Sequence, residues 1–245
     1  MNTNFPKEYV IGIDIGGTNF RIGGITAENK LIAEPQKYSS RQMFGNGSPT
    51  DVLEKVISDF ILKFPDYTLR GICIGFPGTV DASKERVISC PNLITFTDVN
   101  ISAPLKEKFH VPVVAEHDVL LLLSYDMKVH HLEDDCCLVS FYIGTGLGNG
   151  IYIHGHFLDG KNGVAGELGH IPVYGKNDPC PCGNNGCIEL FCAGKALERI
   201  HDTYFPEIAF SDIFSHYEKF PQLQEFVNFM AMAMSTEINI LDPVH

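Results

Sequence analysis

An α/β fold in two lobes is predicted for this 245-residue chain, on three observations. Short apolar runs alternate with stretches of helical period along the first 130 residues. Two segments, "GIDIGGTNFRIGGI" and "FYIGTGLGNGIYI", repeat one plan of strand, glycine-rich turn and returning strand. The hydrophobic fraction of 44% is enough for a packed core.

Residues 9–14, "YVIGID", form a short apolar strand ending in a carboxylate, and "FRIGGI" is its return. "NKLIAEPQKY" supplies a third strand. Residues 51–64 carry Val52, Leu53, Val56, Ile57, Phe60, Ile61 and Phe64, a helix stripe with Asp51 at its positive end. "RGICIGFPGTV" is a further strand running into a Gly-Pro turn. This start is antiparallel, unlike a βαβ dinucleotide domain. "VPVVAEHDVLLLLSYDM" is a strand followed by a helix from about Asp118, and "DDCCLVSFYIGTGLGNGIYIHGHFLDG" is the second hairpin. The tail is helical, with Leu223, Phe226, Val227, Met230, Met234, Ile238 and Leu241 on one stripe and its methionines filling core. The boundary falls near residues 112–118, giving an N-terminal lobe over 1–115 and a C-terminal lobe over 116–245.

The net charge of −12 argues against a nucleic-acid or anionic-membrane binder. No run of 18 apolar residues is present, and the N-terminus lacks the pattern of a signal peptide. A cytoplasmic location is expected. Cys73, Cys90, Cys136 and Cys137 lie in apolar surroundings and are expected to be buried free thiols.

Cys180, Cys182 and Cys187 are different, being clustered among Gly, Pro and Asn behind His170. Three thiolates and an imidazole suit tetrahedral zinc with every coordination position filled by protein, hence a structural site. Gly183 and Gly186 open backbone conformations that let the loop wrap an ion. A reduced, metal-free loop or a redox pair of Cys180 and Cys182 are the alternatives. Glu167 and Glu189 flank the cluster and are either paired acceptors for sugar hydroxyls or solvated surface acids.

"DIGGTN" places Asp14 at a strand end before a Gly-Gly-Thr turn whose main-chain N–H groups can point at phosphate. Thr18 adds a hydroxyl, Asp14 can hold Mg²⁺, and Arg21 is either a charge partner or structural. "GTGLG" at 144–148 offers a second such turn; neither is a Walker loop. Asp118, in "AEHDV", stands where strand gives way to helix, as a base for an attacking hydroxyl or as a helix cap. His117 beside it lines a sugar pocket or is polar surface.

Taken in order, "GIDIGGTN", "GFPGTV", "PNL", "EHDV", "GTGLGNG", "GVAGELGHIP" and "CPCGNNGCIE" resemble the ROK family of bacterial sugar kinases, in the actin-like ATPase superfamily. They span nearly the whole chain, and the last two are highly specific. The nearest resemblance within the family is to the D-allose kinases. The resemblance implies a two-lobed actin-like ATPase, ribonuclease H-like fold with a structural zinc loop. It implies phosphorylation of a hexose at its 6-hydroxyl, with ATP, Mg²⁺ and structural Zn²⁺, in a homodimer or higher homo-oligomer. Asp118 matches the catalytic aspartate. Asp14, Gly16, Gly17, Thr18 and Asn19 match the first phosphate motif, and Thr145 and Gly146 the second. Asn92, His117, Glu167, His170 and Glu189 match hexose-contact positions. His170, Cys180, Cys182 and Cys187 match the zinc ligands, with His170 using its other nitrogen toward the sugar.

There are departures. The family usually has Asn where this chain has His117, and often Asn where it has Leu120. Both weaken a plain glucokinase reading and leave glucokinase and N-acetylmannosamine kinase as alternatives to D-allose kinase. Family members also continue past "DP" into a further strand and helices, so the chain is expected to lack a C-terminal part. Repressors of the family carry an N-terminal helix-turn-helix, for which a first strand starting by residue 9 is expected to leave no room. A non-catalytic sugar-sensing or zinc-organised interaction protein is the remaining alternative.

Overall fold

The computed structural model describes residues 7–245 except 46 and 135. The chain divides into two compact units. The first ends at Leu121 and also takes in Lys161–Gly163; the second comprises Leu122–Gly160 and Val164–His245. The division thus falls later in the chain than the expected residue 115, and places Asp118 with the first unit.

The first unit is built on β1 (Lys7–Ile15), β2 (Asn19–Thr26) and β3 (Gln36–Ser39), α1 (Ser40–Phe44) and α2 (Pro49–Ile61), then β4 (Tyr67–Phe76). β5 (Thr79–Val80), β6 (Arg86–Ser89) and β7 (Val99–Asn100) form a small antiparallel sheet. α3 (Ser102–Phe109), β8 (Val113–His117) and the first turn of α4 (Asp118–His130) complete it. The main sheet runs β3-β2-β1-β4-β8. β1, β4 and β8 are mutually parallel, whereas β2 and β3 are antiparallel additions.

Period-2 patterning explains β1: Tyr9, Ile11, Ile13 and Ile15 are buried on one face. α2 opens on a Ser48 side chain that accepts the Asp51 N–H at 3.3 Å, with Pro49 in its first turn, and buries Leu53, Ile57 and Phe60. The helix stops at Ile61, short of the expected 64. Phe64 precedes Pro65, whose ring disfavours helical backbone before it. The Phe64 ring nevertheless packs 5.0 Å from Phe60.

The second unit carries the antiparallel sheet β11-β10-β9, formed by β9 (Cys137–Ile143), β10 (Leu147–Ile153) and β11 (His156–Phe157). α5 (Glu189–Cys192), α6 (Gly194–Tyr204) and α7 (Pro221–Leu241) pack around Leu197, Phe205, Leu223 and Phe226. The two glycine-rich hairpins do share one plan: three residues join β1 to β2 and three join β9 to β10.

Two expectations are corrected. On α7 the buried face is Leu223, Phe226, Phe229, Met230, Ala233 and Glu237, while Met232, Met234 and Ile238 are exposed. The expected stripe coincides with the buried face at Leu223, Phe226 and Met230 and departs from it at Met234 and Ile238; Glu237 takes a core position, where Asn149 Nδ2 donates to it at 2.8 Å. Among the thiols, Cys90 and Cys137 are buried, Cys73 is half-buried, and Cys136 is exposed at the strand entrance. No helix among the described residues is long and apolar enough to cross a membrane.

Candidate functional site

In the first unit the parallel strands bring the site residues to one sheet end. Asp14 is in register with Gly75 of β4, and Gly75 with Glu116 of β8. The chain leaving β1 there is the turn Gly16-Gly17-Thr18, closed by the Gly16 N–H donating to the Asn19 carbonyl at 2.8 Å. The chain leaving β8 is Asp118, which opens α4. Carboxyl ends of parallel strands are where α/β sheets place their ligands.

A Cβ on Gly17 would lie 3.1 Å from the Cβ of Asn92, so this turn and the Asn92 segment pack together. The Asp118 charge also reaches Cys90, whose thiol burial pushes up to about 11, with the Asp118 charge adding to the rise and the Leu93 N–H opposing it. Asn92 and the first glycine turn therefore meet within this unit. His117 Nε2 is 3.7 Å from Asp118 Oδ1. Arg21, cross-strand partner of Asp14, donates to its Oδ2 at 2.6 Å, so it is a charge partner.

In the second unit the turn 144–146 lies against α6. The Gly194 N–H donates to the Gly144 carbonyl at 2.9 Å, and a side chain on Gly194 would overlap that oxygen. Glu189 Oε2 accepts the Leu147 N–H at 2.8 Å, beside Gly146, where a Cβ would collide with the same carboxylate. A side chain at Gly146 would displace the Glu189 carboxylate from its bond to Leu147.

His170, Cys180, Cys182 and Cys187 offer four ligand atoms all within 4.8 Å of one another. Cys182 Sγ is 3.6 Å from Cys187 Sγ, and Cys180 Sγ is 3.7 Å from His170 Nδ1. Zn–S bonds of about 2.3 Å place tetrahedral sulfurs about 3.8 Å apart, so the donor set and its spacing fit zinc. A disulfide would need about 2.0 Å, which excludes a formed Cys182–Cys187 bond. Gly183 and Gly186 both have positive φ, 97° and 67°, as the loop requires.

With Nδ1 toward the sulfurs, His170 Nε2 lies 3.8 Å from Glu167 Oε2. Burial pushes Glu167 above the ordinary carboxylate range, the His170 ring lowers it, and the Glu189 charge raises it. Glu167, whose side chain is 36% exposed, and Glu189, held by the Leu147 N–H, both stand beside the metal-ligand cluster.

Three contacts escaped the sequence reading. Lys84 Nζ is 2.9 Å from Glu116 Oε1. Tyr142 donates to Asp126 at 2.7 Å, and Asn149 bridges the Ser140 carbonyl and Glu237. Only the polar Glu237 within an apolar helical run carried any signal of this kind.

The α/β fold of this chain recurs in solved structures. The glucokinase of Streptomyces griseus, solved with glucose and AMPPNP, superposes with TM-score 0.73 at 23% identity, over 96% of this chain and 80% of that one. A putative N-acetylmannosamine kinase from Listeria monocytogenes gives TM-score 0.79 at 22% identity, over 97% and 81%. The ROK family profile matches residues 10–245, and the chain belongs to that family. Its relatives include the xylose repressor of Bacillus subtilis, 29% identical over 98% of this chain and 63% of that protein. The glucokinase of Thermotoga maritima is 29% identical over 79% of this chain and 60% of that protein. The chain spans about three fifths of the length of these curated relatives.

Proposed function

We propose that the chain is an ATP-dependent hexose kinase that phosphorylates the 6-hydroxyl. The observation that carries this reading is the common sheet end of Asp14, the turn 16–18 and Asp118 in a ROK-family chain. On the first unit, Asp118 accepts the proton of the attacking hydroxyl, and Asn92 and His117 bind the sugar. Gly16, Gly17, Thr18 and Asn19 bind phosphate through main-chain N–H groups and side-chain oxygens. On the second unit, Thr145 and Gly146 form the second phosphate turn, and Glu167, His170 and Glu189 accept or donate to sugar hydroxyls. Asp14 would hold the Mg²⁺ that accompanies the nucleotide, which would offset phosphate charge. Zinc held by His170, Cys180, Cys182 and Cys187 fixes the loop that carries the sugar-binding acids.

D-allose is the proposed hexose, with glucose and N-acetylmannosamine as the alternatives, and a homodimer or higher homo-oligomer the proposed assembly. A coupled kinase assay across allose, glucose, mannose, N-acetylmannosamine and fructose tests this. Turnover highest on allose supports the full reading; turnover on another hexose keeps the kinase and discards allose. The extended match to a xylose repressor favours a second reading, a sugar-responsive regulator. Sugar binding without any ATP consumption would decide for it.

A further inference from the structure

We infer that Lys84 and Glu116 form a positioning pair that fixes the backbone carrying His117 and Asp118; this rests on the kinase reading only for its kinetic consequence. β8 is the edge strand of the main sheet, so its outer side has no neighbouring strand in that sheet. The turn at residues 81–86 docks there instead. The Ala115 N–H donates to the Lys84 carbonyl at 2.9 Å, and the Ser102 hydroxyl donates to the same oxygen at 3.0 Å. One residue further along β8, the Lys84 ammonium meets Glu116 Oε1 at 2.9 Å. That oxygen also accepts the N–H of His117, the residue directly before Asp118, at 2.8 Å.

Lys84 is an unexpected residue for this place. Its φ is 59°, the left-handed region that favours glycine or asparagine. The backbone is held there by a Lys84 N–H bond to the Asp81 carbonyl, and by Asp81 Oδ1 accepting the Glu85 and Arg86 N–H groups at 3.0 Å each. A glycine would fill the turn without strain, but only a long cationic side chain reaches Glu116. The pair is also shielded: the Glu116 side chain is 14% exposed and that of Lys84 23%. Removing one partner of such a pair leaves the other charge uncompensated, whereas removing both charges does far less harm.

This separates positioning from folding. Lys84→Gly relaxes the backbone and keeps every main-chain bond of the turn while deleting the ammonium. Amide hydrogen exchange, which needs no activity, is the first measurement. In Lys84→Gly the His117 amide should exchange about tenfold faster or more, with the β1 and β4 amides unchanged. Lys84→Arg should restore wild-type protection, and Lys84→Gly with Glu116→Gln should recover most of it. In the kinase assay, kcat should fall about tenfold or more, and hexose KM should rise by a smaller factor, because His117 is displaced with the base while the other sugar contacts remain. Unchanged exchange at His117 in Lys84→Gly overturns the pair. So does a uniform rise across the sheet, or a loss that Lys84→Arg fails to rescue. A wild-type chain inactive on all hexoses would remove the kinase reading, and the exchange data would still decide the pairing.

Discussion

The carboxylate of Glu189 accepts the main-chain N–H of Leu147 at 2.8 Å, two residues after the thiol of Cys187. One side chain therefore ties the metal-ligand loop to the turn that ends in Gly146. Glu189→Gln keeps an amide oxygen for that N–H and removes the charge; Glu189→Ala removes both. The alanine variant should lose about 1–3 kcal/mol of stability from the orphaned donor, and the glutamine variant much less. Both should bind hexose more weakly. Chemical denaturation and sugar titration on the two variants check this; equal stability of the two would show that the bond to Leu147 contributes nothing.

Zinc removal should affect sugar affinity as well as stability. His170 presents Nδ1 to the sulfurs while Nε2 stands 3.8 Å from Glu167, so the loop and the acid proposed to bind sugar share one ring. The protein as purified should contain about one zinc per chain by elemental analysis. Chelation should lower Tm and raise the hexose Kd, and added zinc should reverse both. A folded, zinc-free chain with undiminished hexose binding would break the link.

Much of this was legible in the sequence because it depends on local patterning. The alternation of Tyr9, Ile11, Ile13 and Ile15 gives β1, the glycines on either side of Thr145 give a turn, and the Cys and His spacing gives the cluster. What was not legible depends on long-range pairing. A stripe on α7 cannot reveal that Glu237 will meet Asn149, 88 residues away. Nor can the sequence of the 81–86 turn reveal that Lys84 will dock on β8. Cys136 and Cys137 are adjacent in the chain, yet Cys136 stands exposed just before β9 and Cys137, its first residue, is buried, a difference the start of the strand makes.

Asp118→Asn tests the base. Asparagine is isosteric and can occupy the first position of α4, so Tm should change little. It cannot take a proton from the sugar hydroxyl, and kcat should fall about 100-fold or more. Hexose binding by calorimetry should persist. Near-normal turnover in this variant would remove Asp118 from the chemistry.

Glu237 sets a pH dependence of stability. Burial pushes its carboxyl above the ordinary 4.5, and the hydrogen bond from Asn149 opposes the rise without cancelling it. The folded chain then binds this proton more tightly than the unfolded chain. The group's contribution to stability is fully present below the unfolded value and is lost as pH rises through the folded value, because the folded state must then hold an ionised carboxylate in its core. Glu237→Gln keeps an acceptor for the Asn149 N–H and carries no charge. The two proteins should match in Tm near about pH 4, and the variant should gain over wild type as pH rises toward about 8. Taking the difference between them cancels the titration of every other acid. A wild-type protein that is the more stable of the two near neutral pH would show that the ionised Glu237 is compensated in the fold, and that its burial carries no penalty.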